Sequence, residues 1–212
     1  GLYGFSIAGA ANAEQVWDVS DITNVRRKVN QSKNNTVFNF GYRPDGKFGN
    51  EFVAFKNAAA FTPTFVGRVE NQDLASLQNI DYLIITQPMM FPEAKRLADY
   101  HAAKNGYRTE IIDIAKIYNE YGSGSKDITA IRDFVANLKE QKGGLKYLTI
   151  YGDSSYDFKN KTAGNDNIVP SYVSEASQDF ENTYITDDYF VMTDGGRPEN
   201  SLPSLPVGRI PA

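Results

Sequence analysis

The sequence contains no cysteine and only one histidine, His101, among its 212 residues. The absence of cysteine excludes disulfide bonds, thiolate metal sites and a cysteine nucleophile supplied by these residues. Any mechanism that needs an imidazole base must use His101 or obtain the base from another polypeptide segment. We therefore expect no catalytic residue within this chain.

Long apolar runs and an excess of positive charge are also missing. The longest apolar runs, such as residues 82–85, are far shorter than the roughly 20 residues that cross a bilayer, so we expect no membrane span. The 22 Lys and Arg residues are scattered and are outnumbered by 26 Asp and Glu residues, which gives a net charge of −4. Without a basic stripe, nucleic acid is not an expected partner. The amino end lacks an initiator Met and the basic flank of a signal peptide, so we expect the chain to be part of a longer protein.

The first third of the chain has the pattern of an antiparallel β domain. Short β-branched and aromatic runs at residues 16–19, 36–40 and 51–55 are separated by turn-forming residues at 44–46 and 48–50. Residues 1–70 are therefore predicted to form a β-rich domain. The aromatic residues Trp17 and Phe52 are compatible with a carbohydrate site, but aromatics at a spacing of two are typical of a sheet face or core, and we adopt that interpretation.

Residues 71–212 have the alternating pattern of a parallel α/β domain. Strands are predicted near residues 81–86, 107–113 and 145–151, with a fourth at 205–210. One helix is predicted from Pro92 to Gly106 and another from the N-cap residue Asp127 to the glycines at 143–144. Right-handed crossovers between such strands predict a parallel sheet with helices on both faces.

The loops that follow the parallel strands are the expected place for function, because ligands bind at the carboxyl edge of such sheets. These loops are residues 86–90, 119–125 and 152–157, and an acidic segment follows at 186–189. Four aspartates are candidate Ca²⁺ ligands, since Ca²⁺ prefers oxygen donors: Asp153, Asp157, Asp187 and Asp188. Their spacing is not that of an EF-hand, and solvated turn aspartates are the alternative. We expect no required cofactor.

Three other features have weaker functional interpretations. Ser154 follows Gly-Asp as in some esterase nucleophile blocks, but no histidine follows it in the sequence, so a turn stabilised by Asp153 is favoured. The glycines and serines at 122–125 resemble a phosphate-binding loop but lack its Gly-Lys-Ser/Thr ending. His101 is predicted to lie half-buried on a helix face.

An ordered series of short segments resembles the gingipain-like C25 cysteine peptidases, in particular those members that act as sortases of the type IX secretion system. The segments are NQDL at 71–74, IYNEYGSG at 117–124, DITAIRDF at 127–134, LKYL at 145–148, GDSSYD at 152–157, VPSY at 169–172, TDDYF at 186–190 and GRIP at 208–211. They span most of residues 70–212. Ser154 stands where the family usually has glycine.

The resemblance implies a caspase-like α/β fold whose catalytic histidine and cysteine follow the GRIP segment. Residues 71–212 would then be the first, non-catalytic subdomain, and residues 1–70 the end of a β-sandwich-like domain. The implied parent enzyme cleaves the C-terminal sorting domain of secreted cargo and attaches the new end at the cell surface of a Gram-negative bacterium. Its implied partners are cargo proteins, other secretion components and the second subdomain. The alternative is a non-catalytic module that binds cargo or acts as a scaffold.

Overall fold

The structure is a computed structural model that describes residues 1–9, 13–34, 36–43, 49–141, 143–158, 161–165, 167–175, 178–179, 181, 183–195 and 200–212. The chain forms two compact units, Gly1–Arg68 and Val69–Ala212. The turn predicted at residues 44–46 lies outside the described residues, as does Phe48.

The Gly1–Arg68 unit is built from antiparallel β-strands, as the sequence predicts. They are β1 (Tyr3–Ala8), β2 (Gln15–Asp18), β3 (Arg26–Lys28), β4 (Val37–Tyr42) and β5 (Phe52–Phe55). β1 pairs with β4, and β2 lies between β3 and β5. The short strand β3 is not predicted because its sequence, Arg-Arg-Lys, has no apolar alternation. An ion pair of 2.9 Å between Lys28 and Asp18 joins it to β2.

Aromatic residues form the core of this unit. Val16, Phe38 and Phe40 are buried, and Phe52 packs against them. Trp17 points to the other face of β2, where it is 39% exposed and its ring meets Phe55 edge-on at 5.1 Å. Phe52 is therefore a core residue and Trp17 a sheet-face residue, as the spacing of two predicts.

The Val69–Ala212 unit alternates strands and helices. In order these are β6 (Tyr82–Thr86), α1 (Phe91–Asn105), β7 (Thr109–Asp113), α2 (Ile114–Tyr121), α3 (Ile128–Glu140), β8 (Tyr147–Tyr151), β9 (Tyr172–Val173), β10 (Ile185–Thr186) and β11 (Val207–Ile210). Four strands form a parallel sheet in the order β11-β8-β6-β7. The predicted α/β class and the predicted fourth strand are confirmed.

Helices cover both faces of this sheet, also as predicted. Tyr82 and Ile84 of β6 share a cluster with Ala94 and Ala98 of α1. Leu83 and Ile85, whose side chains point to the opposite face, belong to the larger cluster that contains α2 and α3. A strand whose residues are all buried therefore separates the two helical layers.

Local signals set the ends of the helices. Pro92 lies in the first turn of α1, and Gly106 ends the helix at φ = 69°, a conformation that favours glycine. The carboxylates of Asp113 and Asp127 accept hydrogen bonds from the amides of Ala115 and Thr129, and so cap α2 and α3. None of the helices within the described residues is both long and apolar enough to span a membrane.

Candidate functional site

A cavity of ≈ 340 Å³ lies at the carboxyl edge of the parallel sheet, where the sequence predicts the functional loops. Gln87 follows β6 and Ser155 follows β8, while Asp127 and Ile128 begin α3. The remaining lining residues are Tyr118, Lys126, Phe158, Asn167, Ile168, Pro170, Ser171 and Val173. The cavity thus has an apolar wall and several polar groups, a composition typical of ligand sites.

Beside this cavity, the guanidinium of Arg209 joins three loops. Its Nη1 donates to the carbonyls of Gly152 at 2.7 Å and Val169 at 2.8 Å. Its Nε and Nη2 donate to the two carboxylate oxygens of Asp187, at 2.8 and 2.7 Å. The bidentate pair is mostly buried, since the two side chains are 14% and 17% exposed. Arg209 therefore fixes the carboxyl edge of the sheet by charge and geometry together.

Two serine hydroxyls extend this network. Ser171 donates to Asp187 at 2.9 Å and also lies 3.0 Å from the hydroxyl of Ser154. Ser154 is thus hydrogen-bonded to the network that Arg209, Asp187 and Ser171 form. His101 lies near the opposite end of the sheet, where its ring stacks on Tyr82 at 4.4 Å and its Nδ1 lies 3.1 Å from the Asn105 amide oxygen. A five-residue strand spans roughly 16 Å, so His101 cannot act as a base for Ser154.

The four candidate calcium ligands have different surroundings. Asp187 binds Arg209, and the carboxylate of Asp157 accepts a hydrogen bond from the amide of Thr162. Asp153 is exposed, and its carbonyl accepts from the amides of Ile168 and Val169. Asp188 is exposed at the start of a 3₁₀ helix, Asp188–Val191.

These surroundings do not form a set of metal donors. Within the part of the chain that the structure describes, no group of three or more His, Cys, Asp or Glu residues could hold a metal ion. The positive charge of Arg209 already neutralises Asp187, the most enclosed of the four candidates. The Ca²⁺ site stays a prediction, and nothing in the proposed function depends on it.

The predicted loop at residues 119–125 begins as a helix instead. Residues 119–121 are the last turn of α2, and the amides of Gly122 and Gly124 donate to the carbonyl of Tyr118. These amides close the helix, so they are not available to bind a phosphate. The amphipathic pattern of Ile114, Ile117 and Tyr118 is the signal that the interpretation as a loop overlooked.

Glu120, which this helix presents, holds the start of the unit in place. Its carboxylate accepts hydrogen bonds of 2.8 Å from the amides of Leu74 and Ala75, and one of 3.0 Å from Gln72. Burial by itself raises the pKa of Glu120, but these donors outweigh it and leave the pKa below its usual value. The role of Glu120 is therefore structural.

Comparison with known proteins identifies the family. The family model for peptidase family C25 matches residues 75–212. The chain belongs to peptidase family C25. No curated protein sequence matches it.

The fold of the chain is also found in a solved structure. The crystal structure of dimeric latent PorU from Porphyromonas gingivalis superposes with a TM-score of 0.79 and 22% sequence identity, over 100% of this chain. The chain spans 22% of the length of that PorU chain. At 22% identity, this comparison shows that the chain and PorU share a fold.

Several residues that build this candidate site are not predicted as site residues from the sequence. Tyr118 and Asn167 line the cavity, and Arg209 and Ser171 form the network beside it. The GRIP segment points to Arg209 as part of the family pattern, but its partners come from three separate loops. No local signal in the sequence indicates that these loops converge.

Gly152 is the residue of this site whose backbone demands glycine. Its φ is +128°, and a Cβ at this position would lie 2.5 Å from Cγ2 of Ile168. We expect Gly152→Ala to lower the free energy of unfolding by about 2 kcal/mol, through backbone strain and displacement of Ile168. Urea denaturation measures this, with Gly164→Ala as the control, because Gly164 has φ = +75° but open space around it. Equal losses in the two variants would show that the contact with Ile168 contributes nothing.

Proposed function

We propose that this chain is part of a gingipain-like cysteine peptidase or sortase that cleaves the C-terminal sorting domain of type IX secretion cargo and attaches the new end at the cell surface. The observation that carries the proposal is the match of residues 75–212 to peptidase family C25. The fold shared with PorU supports it. The protein would act at the outer membrane of a Gram-negative bacterium, together with other secretion components.

In this proposal the catalytic thiolate comes from a second subdomain, because these 212 residues contain no cysteine. The thiolate attacks the scissile carbonyl of the cargo, a histidine protonates the leaving amine, and oxyanion donors stabilise the tetrahedral intermediate. A new amine then releases the acyl group in transpeptidation, or water releases it in hydrolysis. The residues of the present chain would position peptide and subdomain without taking part in bond exchange.

The Arg209 network supports such a positioning role. It fixes the loops after β8 and before the 3₁₀ helix at the edge of the sheet where ligands of α/β proteins bind. A surface fixed by a mostly buried ion pair keeps its shape when a partner binds, which lowers the entropic cost of association.

The alternative is a non-catalytic module that binds cargo or acts as a scaffold. The absence of cysteine from these 212 residues is equally compatible with a non-catalytic module and with catalysis by a separate subdomain. Both functions require a surface that binds protein, so the cavity does not distinguish them. The distinction depends on whether the complete protein forms a covalent bond with its cargo.

The test uses the complete protein in its native bacterium. A chromosomal change of the proposed nucleophilic cysteine, identified as the cysteine that follows a His-Gly pair beyond the GRIP segment, is expected to leave cargo with its sorting domain attached. Mass spectrometry of surface cargo measures the fraction cleaved. A strain carrying the surface change Arg96→Ala serves as the control and should process cargo normally. Cargo that is still cleaved in the cysteine variant would favour the non-catalytic alternative.

The isolated 212-residue chain provides a second arm of this test. We expect it to leave purified cargo uncut, because it has no thiol and because His101 lies far from Ser154. Cleavage by the pure chain that survives His101→Ala would overturn the assignment of catalysis to a second subdomain.

A further inference from the structure

The cavity at the carboxyl edge of the sheet contains a polar group that the fold leaves unused. Tyr118 lines the cavity and is only 7% exposed. Among the described residues, no hydrogen bond involves its hydroxyl, and this oxygen is not one of the fully buried unpaired atoms, so solvent still reaches it. The capping bond of Asp127 and the bond of 2.8 Å from Gln87 to the Ile168 carbonyl show that other lining residues are already engaged. The Tyr118 hydroxyl is thus available to a ligand.

Part of the cavity lining is apolar. Ile128, Ile168, Pro170 and Val173 all line the cavity. Such a pocket suits a side chain with an apolar body and a polar tip, because the body replaces water against the wall and the tip reaches the hydroxyl. A strongly charged ligand is disfavoured, since the lining contains one cation, Lys126, next to one anion, Asp127.

One residue of the cavity lining belongs to a short strand. Val173 belongs to β9, which pairs with β10 on one side only within the described residues. The amide of Ser174 donates to the carbonyl of Tyr184 across this pair. In an antiparallel ladder, residues that bond across the pair alternate with residues whose N–H and C=O point away. The N–H and C=O of Val173 therefore point to the side of β9 that faces away from β10.

We propose that this edge and cavity bind an extended peptide, which adds as a strand to β9 through the main chain of Val173 and places one bulky side chain in the cavity against Tyr118. This mode is β-augmentation, in which main-chain hydrogen bonds give affinity and a side-chain pocket gives specificity. The preferred side chain is tyrosine, followed by phenylalanine. The identity of the ligand as a cargo segment rests on the proposed function, but the binding itself does not.

The binding test uses the purified 212-residue chain and short acetylated, amidated peptides that differ only in a central Tyr, Phe, Ala or Asp. Calorimetry is expected to give the tightest binding for Tyr, with a dissociation constant on the order of 100 μM. The Ala and Asp peptides should bind at least about tenfold more weakly, because they leave the apolar wall uncovered. Equal binding of all four peptides, or no binding of any of them, would overturn the proposal.

Two changes test the two halves of the site separately. Tyr118→Phe should weaken the Tyr peptide about fivefold and leave the Phe peptide unchanged, because only one hydrogen bond is lost. Methylation of the peptide amide that pairs with Val173 should weaken both peptides about tenfold without altering the protein. Peptides insensitive to this methylation would show that no strand is added to β9.

The control is Tyr121→Phe, which makes the same chemical change three residues later in α2. The Tyr121 hydroxyl is buried without a partner in the described structure, and Tyr121 does not line the cavity. Its removal should leave peptide binding unchanged and the fold intact. Weakening in both tyrosine variants would indicate a general effect on α2 and would contradict the role of Tyr118.

The peptide-binding test and the cargo-processing test can succeed or fail independently. Peptide binding by the chain together with unprocessed cargo in the cysteine variant supports both proposals. Peptide binding while that variant still processes cargo supports the site and overturns the catalytic proposal. Normal dependence on the cysteine with no peptide binding overturns the site alone.

Discussion

An Arg209→Ala variant is expected to lose about 3 to 5 kcal/mol of folding free energy, which is the usual loss when one partner of a buried ion pair is removed. The substitution leaves the Asp187 carboxylate largely buried with its positive partner gone. It also leaves the carbonyls of Gly152 and Val169 without the donor they share. For a chain of this size the loss corresponds to a fall of about 10 °C in melting temperature, which differential scanning calorimetry measures.

Control variants separate this loss from the general effect of removing an arginine. Arg96→Ala removes a guanidinium that forms a surface pair with Glu93 and is 81% exposed. It should change stability by less than about 0.5 kcal/mol. Adding Asp187→Asn to Arg209→Ala should recover part of the loss, because the unpaired charge is removed. If the double variant is as unstable as the sum of the two single variants, the ion pair contributes no coupling.

The Arg209 network also explains where prediction from sequence stops. In the sequence, Asp187 and Asp188 are neighbouring acidic residues of one segment. In the structure, their surroundings differ. Asp187 is enclosed by Arg209 and Ser171, whereas Asp188 is exposed at the start of a 3₁₀ helix. The difference depends on the pairing of β11 with β8, which brings Arg209 to the loop after β8. A contact between residues 22 positions apart has no local signature.

Elements with strong local signals were predictable. The run of buried residues in β6, the proline and glycine that bound α1, and the aspartate that caps α3 each combine a composition signal with a local hydrogen bond or backbone angle. The predicted order of parallel strands and helices followed from these. The predicted antiparallel pairing of the first unit followed from the alternation around Phe38 and Phe40.

Weaker or ambiguous local signals account for the elements that were missed. Helix α2 follows β7 with no intervening loop, so its amphipathic pattern begins directly after the strand and only the Asp113 cap marks the boundary. The 3₁₀ helix Asp188–Val191 lies in a segment whose acidic residues suggest a metal site rather than a helix. Its apolar residues Phe190 and Val191 are fully buried, so the segment contributes to the core as well as to the sheet edge.

Asp81→Asn is expected to lower the free energy of unfolding at neutral pH by about 2 to 3 kcal/mol, the value of charge-assisted hydrogen bonds to a buried carboxylate. The Asp81 side chain is 6% exposed. It accepts from Nε of Arg108 at 2.7 Å, from the Arg108 amide at 3.0 Å, and from Nζ of Lys146 at 2.9 Å. These bonds join the starts of β6, β7 and β8, so the substitution weakens the edge of the sheet opposite to Arg209.

The pH dependence of this loss has a definite sign. Hydrogen bonds from Arg108 outweigh burial and hold the pKa of Asp81 well below its usual value. The contribution of Asp81 is therefore complete above the unfolded pKa of about 3.9. It decreases as the pH falls below that value toward the folded pKa, by at most about 1.4 kcal/mol per pH unit, since the unfolded state binds the proton first.

The difference in stability between wild type and Asp81→Asn should accordingly be constant from about pH 7 to pH 5 and shrink between about pH 4 and pH 2. Urea denaturation at each pH measures it. Asp99→Asn is the control, because Asp99 is 63% exposed in a surface pair with Lys95. This control variant should differ little from wild type at any pH. An Asp81→Asn difference that persists unchanged to about pH 2 would mean that Asp81 titrates alike in the folded and unfolded states. The hydrogen bonds from Arg108 and Lys146 would then not favour the ionised carboxylate.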